Sequence, residues 1–244
     1  MEHFWLYLFV GFAAQLVDGA LGMAYGVTAC TLLMGLGVPP PTASATVHAA
    51  ECFTTGASAL SHRAFGNISG RLFRRLVVPG VLGAICGAYL LSQLPGDALK
   101  PYIAGYLLVM GMVIIVKAFR EFPPRAVTTQ LAPLGFFGAF LDAIGGGGWG
   151  PIVATTLIAR GNEVRETIGS VNAAEFFVTL AASATFFLTL GLGGWPIILG
   201  LALGGILAAP LGAWACKRLP TKPFMIAVGL LVIALSTRTL LGSL

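Results

Sequence analysis

GFAAQLVDGALGMAYGVTACTLL, Gly11–Leu33, returns 124 residues later as GFFGAFLDAIGGGGWGPIVATTL, Gly135–Leu157. Gly11, Phe12, Asp18, Gly22, Gly26, Thr31 and Leu33 fall on Gly135, Phe136, Asp142, Gly146, Gly150, Thr155 and Leu157. The match continues without a gap, because VHAAECFTTGA, Val47–Ala57, overlies VNAAEFFVTLA, Val171–Ala181. Residues 11–57 share 15 identities with 135–181, and two acids recur among them, Asp18 with Asp142 and Glu51 with Glu175. Chance matching of apolar segments rarely repeats acids. A one-residue slip later brings Gly87 onto Gly212 and Leu94-Pro95 onto Leu219-Pro220. The chain therefore reads as a duplication, residues 1–122 followed by 123–244.

The surroundings of these stretches set the solvent. Of the 244 residues, 57% are hydrophobic and only 9% charged, whereas a soluble chain is about a quarter charged. The apolar residues gather in ten blocks: 4–17, 22–37, 43–62, 76–94, 99–119, 130–145, 149–160, 167–190, 196–216 and 223–241. A crossing helix needs about 20 residues, so the length allows eight to ten membrane segments and no sizeable soluble domain. The expected fold class is an all-α polytopic membrane protein with about five helical elements per repeat. Blocks 4–17 and 22–37 are short and flank Asp18-Gly19, and 130–145 and 149–160 flank Asp142 and Gly145–Gly148. Each such pair is expected to be a broken helix or a re-entrant hairpin.

Lys and Arg orient the chain. Reading one pass per block, twelve of the fourteen fall on one side, from Arg63, Arg71, Arg74 and Arg75 to Lys217, Arg218 and Lys222, leaving Lys100 and Arg238 opposite. The richer side is cytoplasmic by the positive-inside rule. The loop at Pro39–Pro41 is then outside and its counterpart Arg160–Glu166 inside, while residues 62–75 are inside and 188–196 outside. The halves face opposite ways, a construction typical of secondary transporters.

Several function classes drop out. The net charge of +5 comes without the aromatic-interleaved basic stripe of a nucleic-acid binder. Cys30, Cys52, Cys86 and Cys216 lie in or beside apolar blocks without CxxC spacing, and are expected to be buried thiols rather than a disulfide frame or metal site. There is no GxxxxGK[ST] phosphate loop. His3 and His62 have no evident partners for catalysis, so neither enzymatic activity nor a cofactor or metal is expected. The first block lacks a basic start and an Ala-x-Ala site, and is expected to stay in the mature protein.

The polar groups inside the apolar blocks carry the functional reading. Burying a charge in hydrocarbon costs several kcal/mol, so Asp18, Glu51, Asp142 and Glu175 should face a polar interior or be protonated. Asp18 and Asp142 sit beside breaks, where a carboxylate also caps freed N–H groups. His48 with Glu51, and Asn172 with Glu175, are three residues apart and share a helix face. These four are the expected coupling or gating residues. His48 titrates near neutral pH and Asn172 does not, which favours the first half for proton handling. Gly22 and Gly26 surround Tyr25, and Gly146, Gly147 and Gly150 surround Trp149. With Asp18 and Asp142 they form the expected substrate-binding set, since two broken-helix starts offer N–H dipoles to an anion. Helix packing through small residues is the alternative use of the same glycines.

The paired segments, each followed by a helix with the VxAAE pattern, resemble the two signature regions of the TauE/SafE sulfite exporter family, also called the toluenesulfonate uptake permease family. The likeness covers essentially the whole chain. It implies a multi-pass protein of the inner (cytoplasmic) membrane that moves sulfite, sulfoacetate or another organosulfonate by proton- or ion-linked secondary transport. Asp18, Gly22 and Gly26 with Asp142, Gly146, Trp149, Gly150 and Pro151 would form the signature. The first copy departs from the second, having Leu21, Met23, Ala24 and Val27 where the second has Gly145, Gly147, Gly148 and Pro151. An anion channel, and an uptake permease for sulfate or thiosulfate, are the alternatives. The expected partners are the small anion, a coupling proton or cation and membrane lipid, with no nucleic acid; a homodimer is compatible with the sequence.

Overall fold

A computed structural model describes residues 4–119, 129–191, 193–215 and 221–242. His3, Arg120, Arg125, Cys216, Lys217 and Arg218, and the join between the repeats near residue 122, lie outside the described residues. Among the described residues ten α-helices follow in chain order: α1 Phe4–Leu21, α2 Tyr25–Gly35, α3 Pro40–Ala64, α4 Gly70–Gln93, α5 Gly96–Ala118, α6 Leu131–Gly145, α7 Thr155–Ala159, α8 Val164–Leu190, α9 Trp195–Ala215 and α10 Thr221–Leu241. A π-helical turn, Gly150–Ala154, leads into α7. Among the described residues, five stretches are long and apolar enough to cross a membrane: α1, α4, Ala98–Ala118 of α5, α8 and α9.

The distribution of side chains identifies the solvent. Trp5, Tyr102 and Leu188 are 74%, 76% and 82% exposed, while Gln15, Asp18, His48, Glu51, Asp142, Asn172 and Glu175 are buried. Apolar outside and polar inside is the arrangement lipid selects. α3 has 25 residues yet is the least apolar long helix, because it carries His48, Glu51 and a series of hydroxyls toward the interior.

Helix contacts come in matched sets. α1 runs along α9 and α6 along α4; α3 touches α9 and α8 touches α4; α3 lies against α8, and α5 against α10. Small residues allow these approaches: a Cβ at Gly11 would collide with the Leu201 backbone, and one at Gly135 would stand 3.1 Å from the Leu76 carbonyl oxygen. Gly11 and Gly135 thus serve close helix packing. The Thr55 and Thr179 hydroxyls, equivalent positions of the two copies, approach to 3.5 Å where α3 meets α8.

The first break lies further along the chain than the hydropathy pattern indicates. α1 continues through Asp18 and Gly19 to Leu21, so it spans 18 residues. The interruption falls at Gly22–Ala24. Gly22 and Gly146 end their helices in the left-handed region, both at φ 67°, which glycine adopts without strain. α2, with 11 residues, rises about 16 Å and falls short of the roughly 30 Å apolar core.

Candidate functional site: two broken helices around an acid–histidine cluster

Both signature breaks are shaped by their aspartates. The Gly22 N–H donates to the Asp18 carbonyl at 2.6 Å, and the Asp18 carboxyl meets the Tyr25 N–H. In the second copy the Gly147 N–H donates to the Asp142 carbonyl at 3.1 Å, and Asp142 Oδ1 accepts from the Trp149 N–H at 3.0 Å. Tyr25 and Trp149 are equivalent, so one capping geometry is built twice. The copies differ at Ala24, which holds φ 96° where its counterpart is Gly148.

The two breaks touch each other through backbone. A Cβ on Gly26 would lie 2.9 Å from the Gly146 carbonyl oxygen and 3.1 Å from Glu51 Oε1. One on Gly147 would strike the Val27 amide, and one on Gly150 the Met23 and Gly22 backbone. Thus Gly22, Gly26, Gly146, Gly147 and Gly150, read from sequence as two separate runs, form one crossing. Tyr25 and Trp149 are buried beside it; the Tyr25 hydroxyl donates to the Leu201 carbonyl at 3.2 Å and Trp149 Nε1 donates to the Val171 carbonyl at 3.1 Å.

His48 joins the halves. Its Nδ1 lies 2.8 Å from the Ser44 carbonyl oxygen and its Nε2 lies 3.1 Å from Asp142 Oδ2. The shared-face pairing of His48 with Glu51 expected from spacing is not the hydrogen bond that forms. The Ser44 carbonyl fixes the ring so that Nε2 points to α6 instead. A carbonyl accepts only, so Nδ1 is the nitrogen that donates to Ser44, which leaves Nε2 facing Asp142 Oδ2. Glu51 lies within electrostatic range of His48, Asp142 and Asp18, and Glu175 within range of Asp18, Glu51 and Asp142. The four acids named from sequence therefore converge. Asn172 departs from its counterpart: it accepts from Ser58 at 2.8 Å and donates to the Ile168 carbonyl at 3.2 Å.

The ends of α3 differ. Near its start a cavity of about 110 Å³ is lined by Thr42, Thr46, Ser183, Phe186, Gly191, Gly193 and neighbours. Phe186 lines this cavity, and its ring centroid lies 6.0 Å from the His48 imidazole. Near the other end the position equivalent to Phe186 is His62. Its sequence position at an edge suggests no partner, yet it is buried, donating from Nε2 to the Gly19 carbonyl at 3.1 Å and accepting from Asn67 Nδ2 at 3.0 Å. There the Ser69 N–H donates to Ser170 Oγ at 2.7 Å, and a Cβ at Gly169 would meet the Asn67 backbone. Lys117, near the end of α5, donates to the Pro151 carbonyl at 3.3 Å and contacts the Thr155 hydroxyl.

A polytopic helical bundle with this interior defines a membrane transport protein. The chain matches the family described as sulfite exporter TauE/SafE over residues 7–239, and it belongs to that family. It is therefore a multi-pass transporter of the cytoplasmic membrane and not an enzyme. It is 40% identical to the probable membrane transporter protein YtnM of Bacillus subtilis (strain 168), over 99% of this chain and 84% of that protein. It is 27% identical to the probable membrane transporter protein ORF9 of Sinorhizobium sp, over 98% of this chain and 93% of that one. No solved structure matches the chain.

Proposed function

We propose that this transporter moves a small sulfur-containing anion, such as sulfite, sulfoacetate or another organosulfonate, coupled to protons, by alternating access between inverted repeats 1–122 and 123–244. The observation that carries this reading is the 3.1 Å contact of His48 Nε2 with Asp142 Oδ2 at the crossing of the broken segments, a geometry suited to one proton held between them. Asp142 accepts from the Trp149 N–H with its other oxygen, so moving the shared proton alters the group that shapes the break. Buried acids and a small anion coexist at low cost only when protons accompany the anion. Asp18, Gly22, Tyr25, Gly26, Asp142, Gly146, Gly147, Trp149 and Gly150 are the proposed substrate region. His48 and Glu51 are the proposed coupling residues, with Asn172 and Glu175 their counterparts in the second half.

The cavity beside Phe186 near the start of α3 fits a site reached from that side, and repeat exchange would carry access to the other. The family name supports sulfite as the first substrate to try. The test is flux in liposomes with sulfite, sulfate, thiosulfate and two- and three-carbon sulfonates. Saturable, pH-driven movement with counter-exchange is expected. Non-saturating conductance would favour the channel, and a preference for sulfate or thiosulfate the uptake permease.

A further inference from the structure

Gln15 lies one turn before Asp18 on α1, so the two side chains share a face. Both are buried, and among the described residues Gln15 Nε2, Gln15 Oε1 and Asp18 Oδ2 have no hydrogen-bond partner. Buried polar atoms are almost always paired, because an orphaned one carries its whole desolvation cost. Three on one helix face mark a place that receives a hydrogen-bonding guest.

Comparison of the repeats shows why these atoms are unpaired in one half only. Asp142 is bonded by the Trp149 N–H and by His48. Asp18 has the matching Tyr25 N–H, but the residue equivalent to His48 is Asn172, turned toward Ser58 and the Ile168 carbonyl. Gln15 itself has Ala139 as its counterpart. The second half closes the corresponding space with apolar groups: a Cβ at Gly80 would lie 2.8 Å from Val178 and 3.0 Å from the Trp149 ring. At Gly205, which matches Gly80 in the one-residue-slipped register, the neighbours are Thr54 and Gln15.

We propose that Gln15 and Asp18 form the hydrogen-bonding subsite for the transported anion, present in the first half alone. This rests on the anion reading given above. The Gln15 amide offers two N–H donors to an oxyanion oxygen, and its carbonyl accepts from an O–H. A carboxylate beside an oxyanion repels it unless a proton lies between them. The guest is therefore a small oxyanion bound with one proton, carried on the anion or on Asp18.

The experiment compares anion-dependent thermal unfolding of the purified full chain, wild type against Gln15→Met and Asp18→Asn, with sulfite, sulfate, thiosulfate and methanesulfonate across a pH series. Gln15→Met keeps the shape and removes the orphaned atoms, so without anion it should unfold at the same temperature or higher, while anion affinity falls about tenfold or more. Asp18→Asn keeps an acceptor for the Tyr25 N–H and should flatten the pH dependence of anion affinity. Should Gln15→Met fail to fold, Asp18→Asn decides alone. Wild-type affinity and pH dependence in the variants would overturn the subsite while leaving the anion reading intact. Absence of any anion effect on the wild type would overturn the anion reading and the subsite with it.

Discussion

At the scale of single residues, Asp142 has the most connected position in the interior. One oxygen accepts from the Trp149 N–H and the other faces His48 Nε2. Asp142→Asn keeps an acceptor for the break and removes the site of the shared proton. Proton-driven flux in liposomes should fall about tenfold or more, while anion exchange at equal pH persists; equal loss in both assays would assign Asp142 a purely structural role. Glu51→Gln should act in the same direction, since Glu51 is within electrostatic range of the pair. The sequence makes the acids and His48 conspicuous, because charge inside apolar blocks is costly. It does not reveal the partner of His48. Spacing along one helix suggests Glu51, whereas the contact is made 94 residues away and depends on the Ser44 carbonyl turning the ring. Gln15 escaped notice for a related reason: its meaning lies in unpaired atoms, and only packing shows those.

Among the elements, the breaks decide stability and function together. Ala24 stands at φ 96° where its counterpart Gly148 needs no side chain. Ala24→Gly should therefore stabilise the protein by about 1 kcal/mol, read as a rise in unfolding temperature. Gly147→Ala should do the opposite, because its Cβ would strike the Val27 amide in the other half. A loss of about 1–3 kcal/mol is expected, and an unchanged unfolding temperature would show that the breaks do not cross so closely. The existence and type of nearly every element were legible from the apolar blocks. Their exact ends were not: α1 extends through Asp18 and Gly19 to Leu21 while the Asp18 carboxyl reaches the Tyr25 N–H that starts α2, whereas composition alone reads an acid and a glycine as a stop.

For the whole molecule, sliding the sequence against itself reveals equivalent positions and not contacts. It shows Gly22 matched with Gly146, but only the fold shows Gly26 and Gly147 in backbone contact. The helix pairings, α1 with α9 and α6 with α4, join the first half of the sequence to the second. They leave the opposite orientation of the halves as the central claim, since alternating access by exchange of repeats depends on it. The most direct measurement is labelling from outside intact cells with a membrane-impermeant maleimide, using Gly193→Cys and Ala64→Cys in turn in a background without native cysteines. Both positions are exposed, Gly193 with open space for a side chain. The account predicts that Gly193→Cys is labelled in intact cells and Ala64→Cys only after lysis; labelling of both from the same side would contradict it.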